Sequence, residues 1–158
     1  MKPDLPLIVV DTSVLLAIFL NEQMEGRVDR AAAVLRAHGK SHNIAIPALQ
    51  ELELLAPDRL RKDRLDERQK HYEKAETFIR SQQFISLELN QFVARQAGLN
   101  YGQVGDKRND VALVAAAIFY RATALYTFDK KLIDSVKASP LGMRVQEPPA
   151  AQAVLFEA

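Results

Sequence analysis

The segment Leu7–Leu20, LIVVDTSVLLAIFL, constrains the fold more than any other stretch of the chain. Its first four residues are apolar and rich in β-branched side chains, a short run that suits a buried strand. Asp11 interrupts the run, and Thr12 and Ser13 then lead into a second apolar stretch that reads as a helix entered through small polar residues. Asp11 therefore stands where a central strand ends and a helix begins, the place where open α/β sheets bind ligands. A lone Asp at such a junction is equally well explained as a helix cap, its carboxylate accepting from orphan backbone N–H groups. Function becomes the better explanation only if other carboxylates reach equivalent junctions.

The rest of the chain alternates in the same way. Strands are expected at 6–10, 43–46, 84–87, 123–128 and 141–146, and helices at about 13–20, 24–37, 47–56, 90–98, 110–122 and 129–136. Asn21–Gln23 reads as a polar break, and 101–109 as a loop carrying Gly102 and Gly105. Between them 58–81 reads as one long charged helical stretch. Between Asp58 and Lys74 seven basic residues (Arg59, Arg61, Lys62, Arg64, Arg68, Lys70, Lys74) stand against five acidic ones, and Leu60, Leu65, Tyr72 and Phe78 give the stretch a thin apolar stripe. A solvated helix laced with i,i+4 pairs explains this composition, and a basic rim for a polyanion explains it too. Alternating strands and helices give an α/β sandwich with a mainly parallel sheet.

With 158 residues the chain suits one domain. The absence of Cys excludes disulfides and thiolate metal sites. No apolar stretch is long enough to span a bilayer, and the opening MKPDLPL has no apolar run before a cleavage site, so a cytoplasmic protein without a membrane partner is expected. A formal net charge of +1 neither requires nor forbids a nucleic-acid partner.

Three more acids join Asp11. Asp129 repeats its arrangement, with a strand before it and a helix after it, and capping is again a fair explanation for this residue alone. Asp110 opens a helix whose next ten residues are apolar on every side, which marks a buried helix. A carboxylate at its mouth lies near low dielectric and needs donors, a counter-charge such as Lys107 or Arg108, or a cation. In the helix after the second strand, Leu49, Leu52, Leu55 and Ala56 define the buried arc, and Glu51 and Glu53 both fall near its edges. Periodicity does not choose between them. An all-oxygen cluster of this kind selects a hard cation, Mg²⁺ or Mn²⁺, and carboxylate-held ions are the machinery of phosphodiester hydrolysis.

The segments VVDTSVLLAIF at 9–19, IPALQELELL at 46–55, NDVALVAAAI at 109–118 and LYTFDKKL at 125–132 together resemble the PIN-domain nucleases, and among them the VapC-type toxins of toxin–antitoxin pairs. The resemblance implies a single PIN-like domain over 1–149, a three-layer α/β/α sandwich, with a short tail at 150–158. It implies metal-binding and catalytic roles for Asp11, Glu53 (selected over Glu51), Asp110 and Asp129, with support from Thr12, Ser13 and Thr127. It further implies an Mg²⁺- or Mn²⁺-dependent endoribonuclease using a metal-activated water, a homodimer, and a small antitoxin partner. Arg61, Lys62 and Arg64 are the candidate RNA contacts. Asp106 is a candidate further ligand and Asp134 a weaker one.

Other readings fit less well. A haloacid-dehalogenase-type phosphotransferase requires a second acid two residues after the first, where this chain has Ser13. An aspartic protease is all-β, and a response-regulator receiver lacks its layout here. The rival from another class is a PIN-like fold that does not cut and serves as a scaffold or as an RNA- or protein-binding subunit.

Overall fold

The structure is a computed structural model that describes residues 4–20, 26–105 and 107–150. The expected break at Asn21–Gln23, Asp106 and the tail beyond Ala150 lie outside the described residues. Five strands form one sheet: β1 (Leu7–Val10), β2 (Asn43–Pro47), β3 (Ile85–Leu87), β4 (Ala124–Tyr126) and β5 (Val145–Gln146). Every adjacent pair is parallel, and the order is β3-β2-β1-β4-β5. The chain thus runs from β1 outward through β2 and β3 on one side, then returns to β4 on the other. β1 and β4 flank the point where the winding reverses, and a crevice opens there at the carboxyl ends of the strands.

Alternation along the strands feeds two cores. Ile8 and Val10 of β1 and Ile44 and Ile46 of β2 face one side, where α1 (Thr12–Phe19), α2 (Arg27–Arg36), α3 (Ala48–Leu55) and α4 (Leu65–Gln82) contribute Val14, Leu15, Val34, Leu54 and Ala75. Val9 of β1, Ala45 of β2 and Leu125 of β4 face the other side, against α6 (Arg108–Phe119) and α7 (Lys130–Ala138). α5 (Gln91–Asn100) packs on the outer side of α6 through Val93, Ala115 and Ala116. This second layer makes α6 apolar all round: residues 111–117 are all buried. The three-layer α/β/α arrangement matches the expected class.

Several boundaries differ from the sequence expectation. The stretch 58–81 is not one helix. A single 3₁₀ turn, Asp58–Leu60, follows Pro57, a turn carries the chain through 61–63, and α4 begins only at Leu65. The residues Ala75, Phe78 and Ile79 that anchor α4 to the core lie in its second half, so nothing apolar draws its start into line with the earlier turn. α5 runs through Gly98 to Asn100 rather than stopping at the glycine. α6 starts two residues earlier than expected, placing Asp110 inside its first turn, and it ends at Phe119. β4 and β5 are shorter than expected, since only Ala124–Tyr126 and Val145–Gln146 find strand partners.

Candidate active site

Asp11 follows β1 directly and occupies the N-cap position of α1, yet its carboxylate caps nothing. Its Oδ2 instead accepts from the hydroxyls of Ser13 (2.7 Å) and Thr127 (2.7 Å). Thr127 is fully buried. The backbone joins the same two strands, with Asp11 N–H donating to the Tyr126 carbonyl at 2.9 Å. Ser13 Oγ also accepts from Phe128 N–H (3.0 Å), and Thr127 Oγ1 accepts from Asp129 N–H (3.0 Å). Two small hydroxyls therefore knit the ends of β1 and β4 into one platform. Asp129 does cap: its Oδ1 accepts from Lys131 N–H (2.9 Å) and Leu132 N–H (3.2 Å) at the start of α7. Its other oxygen remains on the crevice side, 3.5 Å from Lys107 Nζ.

Glu53 reaches the crevice from α3. Thr12, buried at the start of α1, donates to its Oε2 at 2.8 Å, and the side-chain amide of Asn109 donates to Oε1. Asp110 comes from the first turn of α6, with Lys107 Nζ 3.8 Å from its Oδ2. Its pKa is raised from 3.8 to about 6, chiefly because burial penalises the charged form. Lys107 opposes the rise, and the negative charges of Asp11, Asp129 and Glu53 add to it. All four acids thus act on one small volume, although they come from four different elements.

They line a single cleft of about 790 Å³, together with Thr12, Ser13, Asp58, Lys107, Arg108 and Asn109. Glu51 does not line it, and Asp134 sits exposed on α7, away from the cleft. Arg61, Lys62 and Arg64 are exposed and outside the cleft; Arg61 lines a neighbouring groove, and Arg64 pairs with Asp66 at 3.3 Å. Two cleft residues escape sequence reasoning. Asn109 stands just before the expected start of α6, and its hold on Glu53 depends on how closely α3 approaches α6. Asp58 reads as one charge among many in a charged stretch.

The donor set is carboxylate and hydroxyl only, which suits a hard divalent cation in kind. As placed, no three acidic or imidazole groups among the described residues close around one ion. The Lys107 ammonium stands between Asp110 and Asp129, and Thr12 and Asn109 hold both oxygens of Glu53. A lysine ammonium is a compact positive charge that partly balances crowded carboxylates.

A family model of the PIN domain matches residues 8–138. No curated protein is significantly similar in sequence. Among solved structures, the chain resembles the toxin–antitoxin complex from Klebsiella pneumoniae, with a TM-score of 0.61, 19% identity, and coverage of 90% of this chain and 98% of that one. It resembles VapBC2 from Rickettsia felis, bound to a DNA fragment from its promoter, at a TM-score of 0.64 and 14% identity over 89% of this chain and 98% of that one. VapC20 from Mycobacterium tuberculosis, a toxin that cleaves the sarcin–ricin loop, gives a TM-score of 0.59 and 15% identity over 79% of this chain and 92% of that one.

Proposed function

The chain belongs to the PIN domain family, and from that premise we propose that it is a divalent-metal-dependent endoribonuclease acting as the toxin of a toxin–antitoxin pair. One observation carries the reading. Asp11, Glu53, Asp110 and Asp129 arrive from four separate elements and face one cleft at the reversal point of the sheet. Helix capping explains one of them, Asp129, and only one of its oxygens.

These four side chains would hold Mg²⁺ or Mn²⁺. When bound, the ion supplies an acidified water for attack and positive charge against the scissile phosphate. The remaining residues orient and balance the acids. Ser13 and Thr127 fix the rotamer of Asp11, and Thr12 and Asn109 fix Glu53. Lys107 balances Asp110 and Asp129, and with Arg108 it supplies cations on the wall that a phosphate would approach. Held in this way, the carboxylates lose little freedom when substrate arrives. The partners in this reading are an RNA strand, a small protein antitoxin and a second copy of the chain. An exposed apolar face on α5 and α6, where Phe92 stacks on Phe119, is available to a protein partner.

The test is cleavage of a mixed RNA pool with Mg²⁺, with Mn²⁺ and with EDTA, beside Asp11→Asn. Asparagine keeps an oxygen to accept from Ser13 and Thr127 while removing the charge. Cleavage should need the metal and should fall at least about 100-fold in the variant. Metal-independent cleavage, or full activity in Asp11→Asn, would overturn the mechanism. RNA binding with no cleavage under any metal would favour the non-cutting scaffold, for which Lys107 would be the permanent counter-ion of the cluster.

A further inference from the structure

Beside the acidic cleft lies a second groove, about 330 Å³, between the end of α3, the 3₁₀ turn and the first half of α4. Ala56, Pro57 and Asp58 line both, so one wall separates them. Its apolar surface comes from Leu55, Leu60, Leu65 and Tyr72, with Leu65 73% and Tyr72 43% exposed. Arg61, Arg68 and Gln69 complete the lining.

The cations of this region fall into two classes. Arg64, Lys70 and Arg80 are occupied by Asp66, Glu67 and Glu76. Arg61, Lys62, Arg68 and Lys74 make no ion pair among the described residues, and of these Arg61 and Arg68 line the groove. An apolar, aromatic floor with uncommitted guanidinium groups at its rim is the chemistry that takes an unpaired nucleobase and the phosphates beside it. A protein segment would satisfy both only by bringing apolar side chains and carboxylates together.

We propose that this groove is a nucleobase subsite for the single-stranded RNA whose scissile phosphate lies in the acidic cleft. Tyr72 stacks a flanking base, and Arg61 and Arg68 hold its phosphates. The inference rests on the nuclease reading for the strand's path and goes beyond it by assigning a base-binding site on α4. It accounts for the break at 61–63, which lets the 3₁₀ turn and α4 form two sides of a groove where a continuous helix would present one convex face.

The test separates this subsite from catalysis. In an Asp11→Asn background with EDTA, binding of a fluorescein-labelled, unstructured RNA of about ten nucleotides is measured by polarisation. Tyr72→Ala should weaken binding about 5- to 100-fold, and Tyr72→Phe should restore it. Arg61→Gln with Arg68→Gln should weaken it and flatten the salt dependence by about 0.7 in log–log slope per charge removed. Arg80→Gln, on the far end of α4, should change neither. Competition with inorganic polyphosphate, which has no bases, should respond to the arginine pair and not to Tyr72→Ala. RNA affinity within about twofold of the parent in Tyr72→Ala would overturn the subsite, as would an equal loss for polyphosphate. Cleavage by the parent chain is scored separately. Metal-dependent cutting with an indifferent Tyr72 removes only this inference, and Tyr72-dependent binding without cutting removes only the nuclease.

Discussion

At the scale of single residues, Asp110 is the most informative acid, because its surroundings oppose its charge. Its ordinary pKa of 3.8 rises to about 6 in the fold. Below the lower value both folded and unfolded chains hold the proton, and the residue does not affect stability. Between the two values the unfolded chain releases the proton while the folded one keeps it. Above about 6 the folded chain ionises too, and the full penalty is present. Asp110→Asn in EDTA should therefore stabilise the protein at about pH 8 and do so much less at about pH 4. Urea unfolding at both values reads this directly, and an equal difference at the two pH values would refute it. A cation that binds here must displace the same proton, so its affinity should fall with acid.

Elements show what was legible in the sequence and what was not. Asp11 and Asp129 stand out because a strand pattern ends at each of them. Which of the two merely caps a helix is not legible, since the spacing is the same. The difference is that Thr127 and Ser13 capture the carboxylate of Asp11, whereas the free N–H groups of α7 capture one oxygen of Asp129. Asp129 therefore has two separable duties. Asp129→Ala should cost about 1 kcal/mol from the lost cap, and Asp129→Asn should keep most of that stability. Both should lose RNA cleavage. Retained activity in Asp129→Asn would reduce the residue to a cap. Glu53 was separable from Glu51 only by resemblance: the arc expected from Leu49, Leu52, Leu55 and Ala56 put both at its edges, whereas α3 in fact buries Gln50 and Leu54 and leaves Leu52 57% exposed, and the neighbours Thr12 and Asn109 belong to other elements. The break after Asp58–Leu60 leaves no mark in a stretch without glycine or proline.

Across the whole molecule, four acids are gathered by a sheet whose central strand is the first in sequence and pairs directly with the fourth. Their mutual repulsion is a cost that the folded chain carries and the unfolded chain largely escapes. A cation that binds only the folded cluster should therefore raise the melting temperature. At about 100 times its dissociation constant the gain is about 2.7 kcal/mol, or roughly 5–10 °C for a domain of this size. Asp11→Asn should abolish most of the shift. An unchanged melting temperature at metal concentrations that saturate cleavage would contradict metal binding by these four residues. No helix among the described residues is long and apolar enough to cross a membrane.

The hydrogen bond from Thr127 to Asp11 joins residues 116 positions apart. Translation delivers those positions at different times. A nascent chain that has completed β1, β2 and β3 already carries Asp11 and Glu53, but Asp11 still lacks Thr127, and neither Asp110 nor Asp129 stands opposite. Such a chain also leaves one side of β1 open, on the edge that β4 will fill. On the proposed reading, activity is therefore withheld until late in synthesis, and a product interrupted before β4 is inert. On that same reading the winding of the sheet would act as a timer that spares the cell's RNA from unfinished copies.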